Sequence, residues 1–251
     1  MLEAKNVTLR FGGLVANNDV SMKIRDGQIT GLIGPNGAGK TTFFNCLCGV
    51  YTPNEGSVEL DGVNIVGKRP HVIHDMGVSR TYQVINLFRD MTVLENVLIG
   101  MHGALSSNFF QSTLHVKKER EEEAAAREKG MELLKFVNLE DKASMKAGAL
   151  SYGEQRRLEI VRGLAIDPKV ILLDEPAAGM NPTEKNELDV LLKKIIERGV
   201  SILMVEHDMN MVMGVCDYIY VLYFGKLLAE GTPEEIQKNP QVIEAYLGGD
   251  E

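Results

Sequence analysis

Apolar and polar positions alternate through NVTLR at residues 6–10 and VSMKI at residues 20–24, the pattern of strands with one buried face. QITGLIG, residues 28–34, is apolar almost throughout and ends on glycine, which predicts a buried strand feeding a turn. The period then changes, and TTFFNCLCGV predicts a helix that stops at Gly49. SVELDGVNI, residues 57–65, predicts a short hairpin or meander. The first third of the chain therefore reads as strand-rich, with one helix launched from the turn after Gly34.

Residues 93–146 have a different character. Val93, Leu94, Val97 and Leu98 recur at helical spacing. The stretch 115–137 is rich in helix formers and sets opposite charges one turn apart, as in Lys118 with Glu122 and Glu123 with Arg127. Both signs are interspersed, which marks a solvated helix face rather than a nucleic-acid patch. This segment predicts a helical lobe. Beyond it, LSYGEQRRLEI at 150–160 begins like a helix, with Ser151 as cap and Glu154 completing a capping box. KVILLDEP and VSILMVEHD then read as buried strands, separated by an amphipathic helix through Leu188, Leu191, Leu192, Ile195 and Ile196. YIYVLYFGKLLAEG predicts two strands turning at Gly225–Lys226, and TPEEIQKN and PQVIEAYLG predict two short terminal helices. Apolar strands alternating with helices predict a largely parallel sheet covered on both faces.

The 251 residues with 44% hydrophobic content suffice for one large core, or a core with a small lobe. No apolar run is long enough to cross a bilayer, and MLEAKNVTLRF lacks the basic start and apolar run of a secretory signal, so an intracellular location is expected. The formal charge of −8 argues against nucleic acid as the main partner. Cys46, Cys48 and Cys216 do not make a disulfide framework, and the C-x-C of the first two has no second metal-binding cluster, so they are expected to pack as small apolar residues.

GPNGAGKT, Gly34 to Thr41, fits G-x-x-x-x-G-K-[ST] and lies between a predicted strand and a predicted helix. Glycines let consecutive N–H groups turn inward around an anion, and the helix aims its positive end at the same place. Gly34, Asn36, Gly37, Ala38, Gly39, Lys40, Thr41 and Thr42 are thus candidate nucleotide contacts. Lys40 suits the β- and γ-phosphates and the Thr41 hydroxyl suits Mg²⁺. Asp174 ends a buried strand, expected beside the loop's own strand, where it can hold Mg²⁺ through water. Glu175 follows at the mouth of the site, able to orient or deprotonate a water. His207 ends another apolar strand and is a candidate γ-phosphate contact, since such strand ends converge.

The phosphate loop, Gln83, LSYGEQ, VILLDEP and EHD occur in an order and spacing that resemble the ATP-binding subunits of ABC transporters, over nearly the whole chain. The resemblance implies one domain over 1–251 of α/β class. A P-loop NTPase (RecA-like) core of mainly parallel sheet would take residues 1–83 and 147–251 with an antiparallel β subdomain, and an inserted helical subdomain would take about 84–146. It implies that Gln83 senses Mg²⁺ and the water, and that Phe11 stacks on adenine; as a bare sequence feature Phe11 reads instead as core. Ser151, Gly153 and Glu154 would contact the ATP of an opposite subunit, Tyr152 and Glu154 departing from the usual glycine and glutamine. AAGMNP, residues 177–182, resembles the dimer-contact loop. The implied partners are ATP and ADP, a second ATPase subunit (the same chain or a sibling), and separate integral membrane permease subunits docked on the helical subdomain. The implied place is the cytoplasmic face of the membrane. RTYQVINLFRDMTVLENVLIG and the region of LSYGEQRRLEI resemble the branched-chain amino-acid uptake branch, with urea and amide importers and exporters as relatives. A soluble ABC ATPase acting on ribosomes or DNA is the alternative from another class, against which stand the acidic charge and the single phosphate loop.

Overall fold

The computed structural model describes residues 1–81, 83–101 and 116–247, the side chains of 116–120 and 247 excepted. Two compact units emerge: Met1–Gln83 together with Lys169–Glu251, and Val84–Pro168.

In the first unit, β1 (Leu2–Phe11) and β2 (Leu14–Ile24) form a long hairpin, and β3 (Ile29–Ile33) feeds α1 (Lys40–Leu47). β4 (Glu55–Leu60), β5 (Val63–Asn64), α2 (Pro70–Asp75) and β6 (Val78–Arg80) follow. The second unit contains α3 (Val93–Gly100), α4 (Val116–Phe136) and α5 (Tyr152–Leu164). The chain then returns through β7 (Val170–Asp174), α6 (Pro182–Glu197), β8 (Ser201–Val205), α7 (Met209–Val215), β9 (Tyr218–Tyr223), β10 (Lys226–Gly231), α8 (Pro233–Gln237) and α9 (Pro240–Leu247).

Among the described residues the strands make two sheets. One is antiparallel in the order β2-β1-β4-β5; the other runs β10-β9-β3-β8-β7-β6 and is parallel except where β10 pairs β9. Every residue of β3, β7 and β8 is buried, which is why these strands carry no alternation. Their register decides where chemistry can occur. Leu32 lies opposite Val205, and Val205 opposite Asp174, so the carboxyl ends of β3, β8 and β7 are level. The expected neighbourhood of the Asp174 strand and the loop's strand is corrected here, because β8 lies between them.

The core of this unit gathers Phe43, Phe44 and Leu47 of α1 with Leu172, Leu203 and Leu222 of the parallel sheet and Leu2, Val7 and Val20 of the hairpin. Full burial of one such side chain stabilises by about 1.5–3 kcal/mol. Cys46, Cys48 and Cys216 are buried free thiols, as their apolar neighbours predict. The β9–β10 turn falls at Phe224–Gly225 rather than Gly225–Lys226; both residues have positive φ, 44° and 74°, as a two-residue hairpin turn requires.

In the second unit Val93, Val97, Leu133, Leu134, Leu158 and Val161 are buried. α3 starts on a capping box made by Thr92 and Glu95. Arg156 and Glu159, both buried on α5, pair at 2.8 Å, and the Asn86 N–H donates to Glu159 at 3.2 Å. The unit includes α5 and runs to Pro168, further than the 84–146 expected. Arg127 donates to Glu123 at 3.2 Å as the charge pattern predicts, while the Lys118–Glu122 pair falls outside the described side chains. α2, β6 and α7 had no signal of their own in the hydrophobic pattern.

Candidate functional site

The phosphate loop joins β3 to α1. Gly39, the N-cap, is left-handed with φ 94° and has no side chain to cap the helix, so the first-turn N–H groups face no capping side chain. A Cβ on Gly39 would sit 2.6 Å from the Ala16 carbonyl oxygen. The loop is braced from outside. Asn17, fully buried on β2, donates to the Gly39 carbonyl at 3.1 Å, the Gly225 N–H donates to the Ala38 carbonyl at 3.0 Å, and the Asn18 N–H donates to the Gly225 carbonyl at 2.8 Å. Asn36 and Gly37 are exposed and Ala38 buried; Thr41 is exposed on the first helical turn and Thr42 half-buried behind it. Lys40 is buried, and its Nζ donates to the Gly34 and Pro35 carbonyls at 2.7 and 3.0 Å. Burial lowers the Lys40 pKa, opposed by the charges of Glu175 and Asp174.

Those two acids stand at the end of β7. Asp174 is buried, and Arg80 approaches its Oδ2 at 3.3 Å. Arg80 also donates to Asn45 Oδ1 at 2.6 Å and lies over the Phe44 ring, 4.9 Å from its centroid. Glu175 adopts φ 47°, a left-handed backbone that costs a non-glycine residue about 1–3 kcal/mol. Its N–H donates to the Val205 carbonyl at 2.9 Å, which holds that geometry against β8. One carboxylate oxygen receives the Gln83 side-chain N–H at 3.0 Å; the other lies 3.1 Å from His207 Nε2. Gln83, Glu175 and His207, far apart in sequence, are therefore brought into one bracketed carboxylate. Glu206 is buried beside them and accepts from the backbone of both loops.

Phe11 ends β1 with 46% of its surface exposed and meets Tyr51 edge-on, ring centroids 5.3 Å apart. The core reading of Phe11 is thereby corrected: its ring is a partly open apolar platform supported by Tyr51.

In the second unit, Ser151 caps α5. Its Oγ accepts the Glu154 N–H at 3.4 Å and its own N–H donates to Glu154 Oε2 at 3.0 Å, the reciprocal capping box that S-x-x-E predicts. The other Glu154 oxygen pairs with Lys142. Burial alone would raise the Glu154 carboxyl, but Lys142 and the Ser151 N–H hold it below the ordinary range. Gly153 is buried and Tyr152 exposed.

Sequence reasoning missed Asn17, Tyr51, Arg80, Lys142, Glu206 and Gly225. Glu206, an acid closing an otherwise apolar strand, and Gly225, a turn glycine, carried usable signals. The others act through tertiary contacts that no local pattern encodes.

A family model described as ABC transporter matches residues 17–178, and one described as branched-chain amino acid ATP-binding cassette transporter matches residues 226–251. The chain is 47% identical to the high-affinity branched-chain amino acid transport ATP-binding protein BraF of Pseudomonas aeruginosa, over 99% of this chain and 98% of that one. It is 45% identical to the corresponding protein LivG of Escherichia coli K12, with the same coverages. Among solved structures, the ADP conformation of an ATP-binding cassette of an ABC transporter superposes with TM-score 0.86 at 32% identity, covering 99% of this chain and 98% of that one. A dimeric cassette in a post-hydrolysis state bound to ADP and Pi superposes with TM-score 0.75 at 27% identity, covering 93% and 99%. With a braced phosphate loop at the end of β3, a bracketed glutamate at the end of β7 and a matched family model across residues 17–178, the chain belongs to the ABC transporter family, as one of its ATP-hydrolysing cassettes.

Proposed function

We propose that this chain powers uptake of branched-chain amino acids, by closing with a second ATPase subunit on two ATP molecules and reopening when they are hydrolysed. The observation that carries the hydrolytic part is the Glu175 carboxylate, held between Gln83 at 3.0 Å and His207 at 3.1 Å beside the phosphate loop. The transported solute is proposed from full-length likeness to BraF and LivG.

In this reading Phe11 carries the adenine, and the loop N–H groups from Asn36 to Thr42 take the phosphates. Lys40 exchanges its bonds to the Gly34 and Pro35 carbonyls for phosphate oxygens. Glu175 orients the attacking water and takes its proton, while His207 leaves the carboxylate to donate to the γ-phosphate. No cluster of three or more His, Cys, Asp or Glu side chains suited to a metal occurs among the described residues. Magnesium needs no such cage, since it keeps waters and binds through one carboxylate plus substrate phosphates. The Thr41 hydroxyl and the Asp174 carboxylate, with Gln83, are hard oxygen donors of that kind and would hold Mg²⁺, which neutralises developing phosphate charge. Ser151, Gly153 and Glu154 of the second subunit would close over the γ-phosphate.

No helix among the described residues is long and apolar enough to cross a membrane, so separate permease chains are proposed to receive the second unit on the cytoplasmic face. The test is uptake of labelled leucine, isoleucine and valine, and in parallel of labelled urea and short amides, in cells whose copy carries Glu175→Gln. Uptake should fall for the branched-chain acids. Loss of urea or amide uptake instead would reassign the solute and leave the ATPase reading standing.

A further inference from the structure

Glu206 follows β8 as a carboxylate only 4% exposed. Oε1 accepts the Ala177 N–H at 2.7 Å, and Oε2 accepts the N–H of His207 at 3.0 Å and of Asp208 at 3.4 Å. The two oxygens therefore reach two different loops, one leading on from Glu175 and one carrying His207. A buried carboxylate is costly unless its oxygens are satisfied, and charge-assisted bonds to N–H groups are the strong kind. A strand end has no need of such a group; two loops that must keep a fixed separation do. The same loops make the 3.1 Å contact between Glu175 and His207. A second, more exposed link joins them further out, where Lys185 of α6 meets the α7 cap Asp208 at 2.6 Å.

We propose that Glu206 is a positioning residue for ATP hydrolysis. It ties the 177–182 loop to the His207 backbone, so that a second subunit pressing on that loop shifts His207 with it. The proposal rests on the reading of His207 and of the 177–182 loop given above. Glu206→Gln keeps the shape but leaves one acceptor oxygen, its NH₂ facing a backbone donor, so that a single loop is held.

The experiment uses the full-length chain with Mg-ATP and ADP. Glu206→Gln is expected to lower kcat at saturating Mg-ATP about tenfold or more, the scale of one lost charge-assisted hydrogen bond, and to leave ADP affinity within about twofold. Amide exchange should quicken at whichever of Ala177 and His207 faces the new NH₂, with the other, β7 and β8 unchanged. In a His207→Ala background, Glu206→Gln should remove little further activity, since it acts through His207. Unchanged kcat overturns the proposal, and so does a loss of ADP affinity as large as the loss of kcat, which would mean general damage. Should Glu206→Gln fail to fold, Glu206→Asp keeps the charge one methylene short of bridging both loops, and full activity there also overturns it. Failure of the His207 reading is told apart by its own variant: His207→Ala would then hydrolyse ATP at the full rate, whereas failure of the tie alone leaves His207→Ala slow and Glu206→Gln at the full rate.

Discussion

The starts of α1 and α5 treat the same problem, a first turn of unpaired N–H groups, in opposite ways. α1 begins on Gly39, left-handed and without a side-chain cap, and its lysine is folded back on the loop's own carbonyls. α5 begins on a complete capping box, with Glu154 also paired to Lys142. An uncapped start leaves its N–H groups for an incoming phosphate and relies on outside braces such as Asn17 and Gly225 for shape. A capped start is stable by itself and has only its exposed Ser151 hydroxyl and helix end to offer a ligand. The first arrangement suits a primary binding site, the second a surface that completes someone else's site.

Nucleotide binding itself is broken at α1. Lys40→Ala should weaken ATP binding on the order of 100-fold, measured by titration calorimetry, because a charge-assisted phosphate contact is lost in a buried site. Lys142→Met, at the capped end, should leave ATP affinity of the isolated subunit unchanged.

Next comes hydrolysis. Glu175→Gln should bind Mg-ATP normally and turn over about 10²–10⁴-fold more slowly, since the amide does not accept the water's proton. An ATP-dependent dimer should accumulate on size exclusion, and wild-type turnover would remove Glu175 from the base role. His207→Ala should lower kcat with little change in ATP affinity; a change confined to binding would contradict its γ-phosphate role.

Ser151→Asp separates cap from ligand. Aspartate caps as well as serine, so the melting temperature should stay put, whereas Ser151→Ala should cost about 1 kcal/mol. The added charge should still abolish ATP-driven dimerisation by repelling a phosphate. Dimers formed at the normal ATP concentration would argue that Ser151 only caps.

The smallest effect is a pH window. The folded Glu154 carboxyl lies below its ordinary 4.5, so its stabilisation is full above that value and lost as pH falls through the lower folded value. Removing Lys142 should therefore lower the melting temperature at neutral pH, and the difference from wild type should close as pH falls below 4.5.

Legibility in the sequence follows the same division. The loop's glycines, Lys40 and the S-x-x-E box are local, and local chemistry wrote them into consecutive residues. The buried strands showed as unbroken apolar runs, yet their order did not, because β3, β7 and β8 look alike in sequence and β8 was not expected between the other two. Phe11 reads as core from its neighbours, yet its ring is half exposed and meets Tyr51, forty residues away. Asn17, Arg80 and Lys142 act across the fold, where spacing carries no signal.

The claim that the site is shared between chains is tested most directly by mixing a Lys40→Ala chain with a Ser151→Asp chain and measuring ATPase activity and ATP-dependent dimer formation. Each homodimer lacks an intact loop or an intact signature at both sites and should be nearly inactive. In the mixed dimer both defects fall in one site, and the other joins an intact loop to an intact signature, so activity or dimer should return on mixing. If the natural partner is a sibling subunit, the two substitutions are divided between the two chains with the same expectation. Mixing that restores neither activity nor dimer would mean that Ser151 serves its own chain's nucleotide.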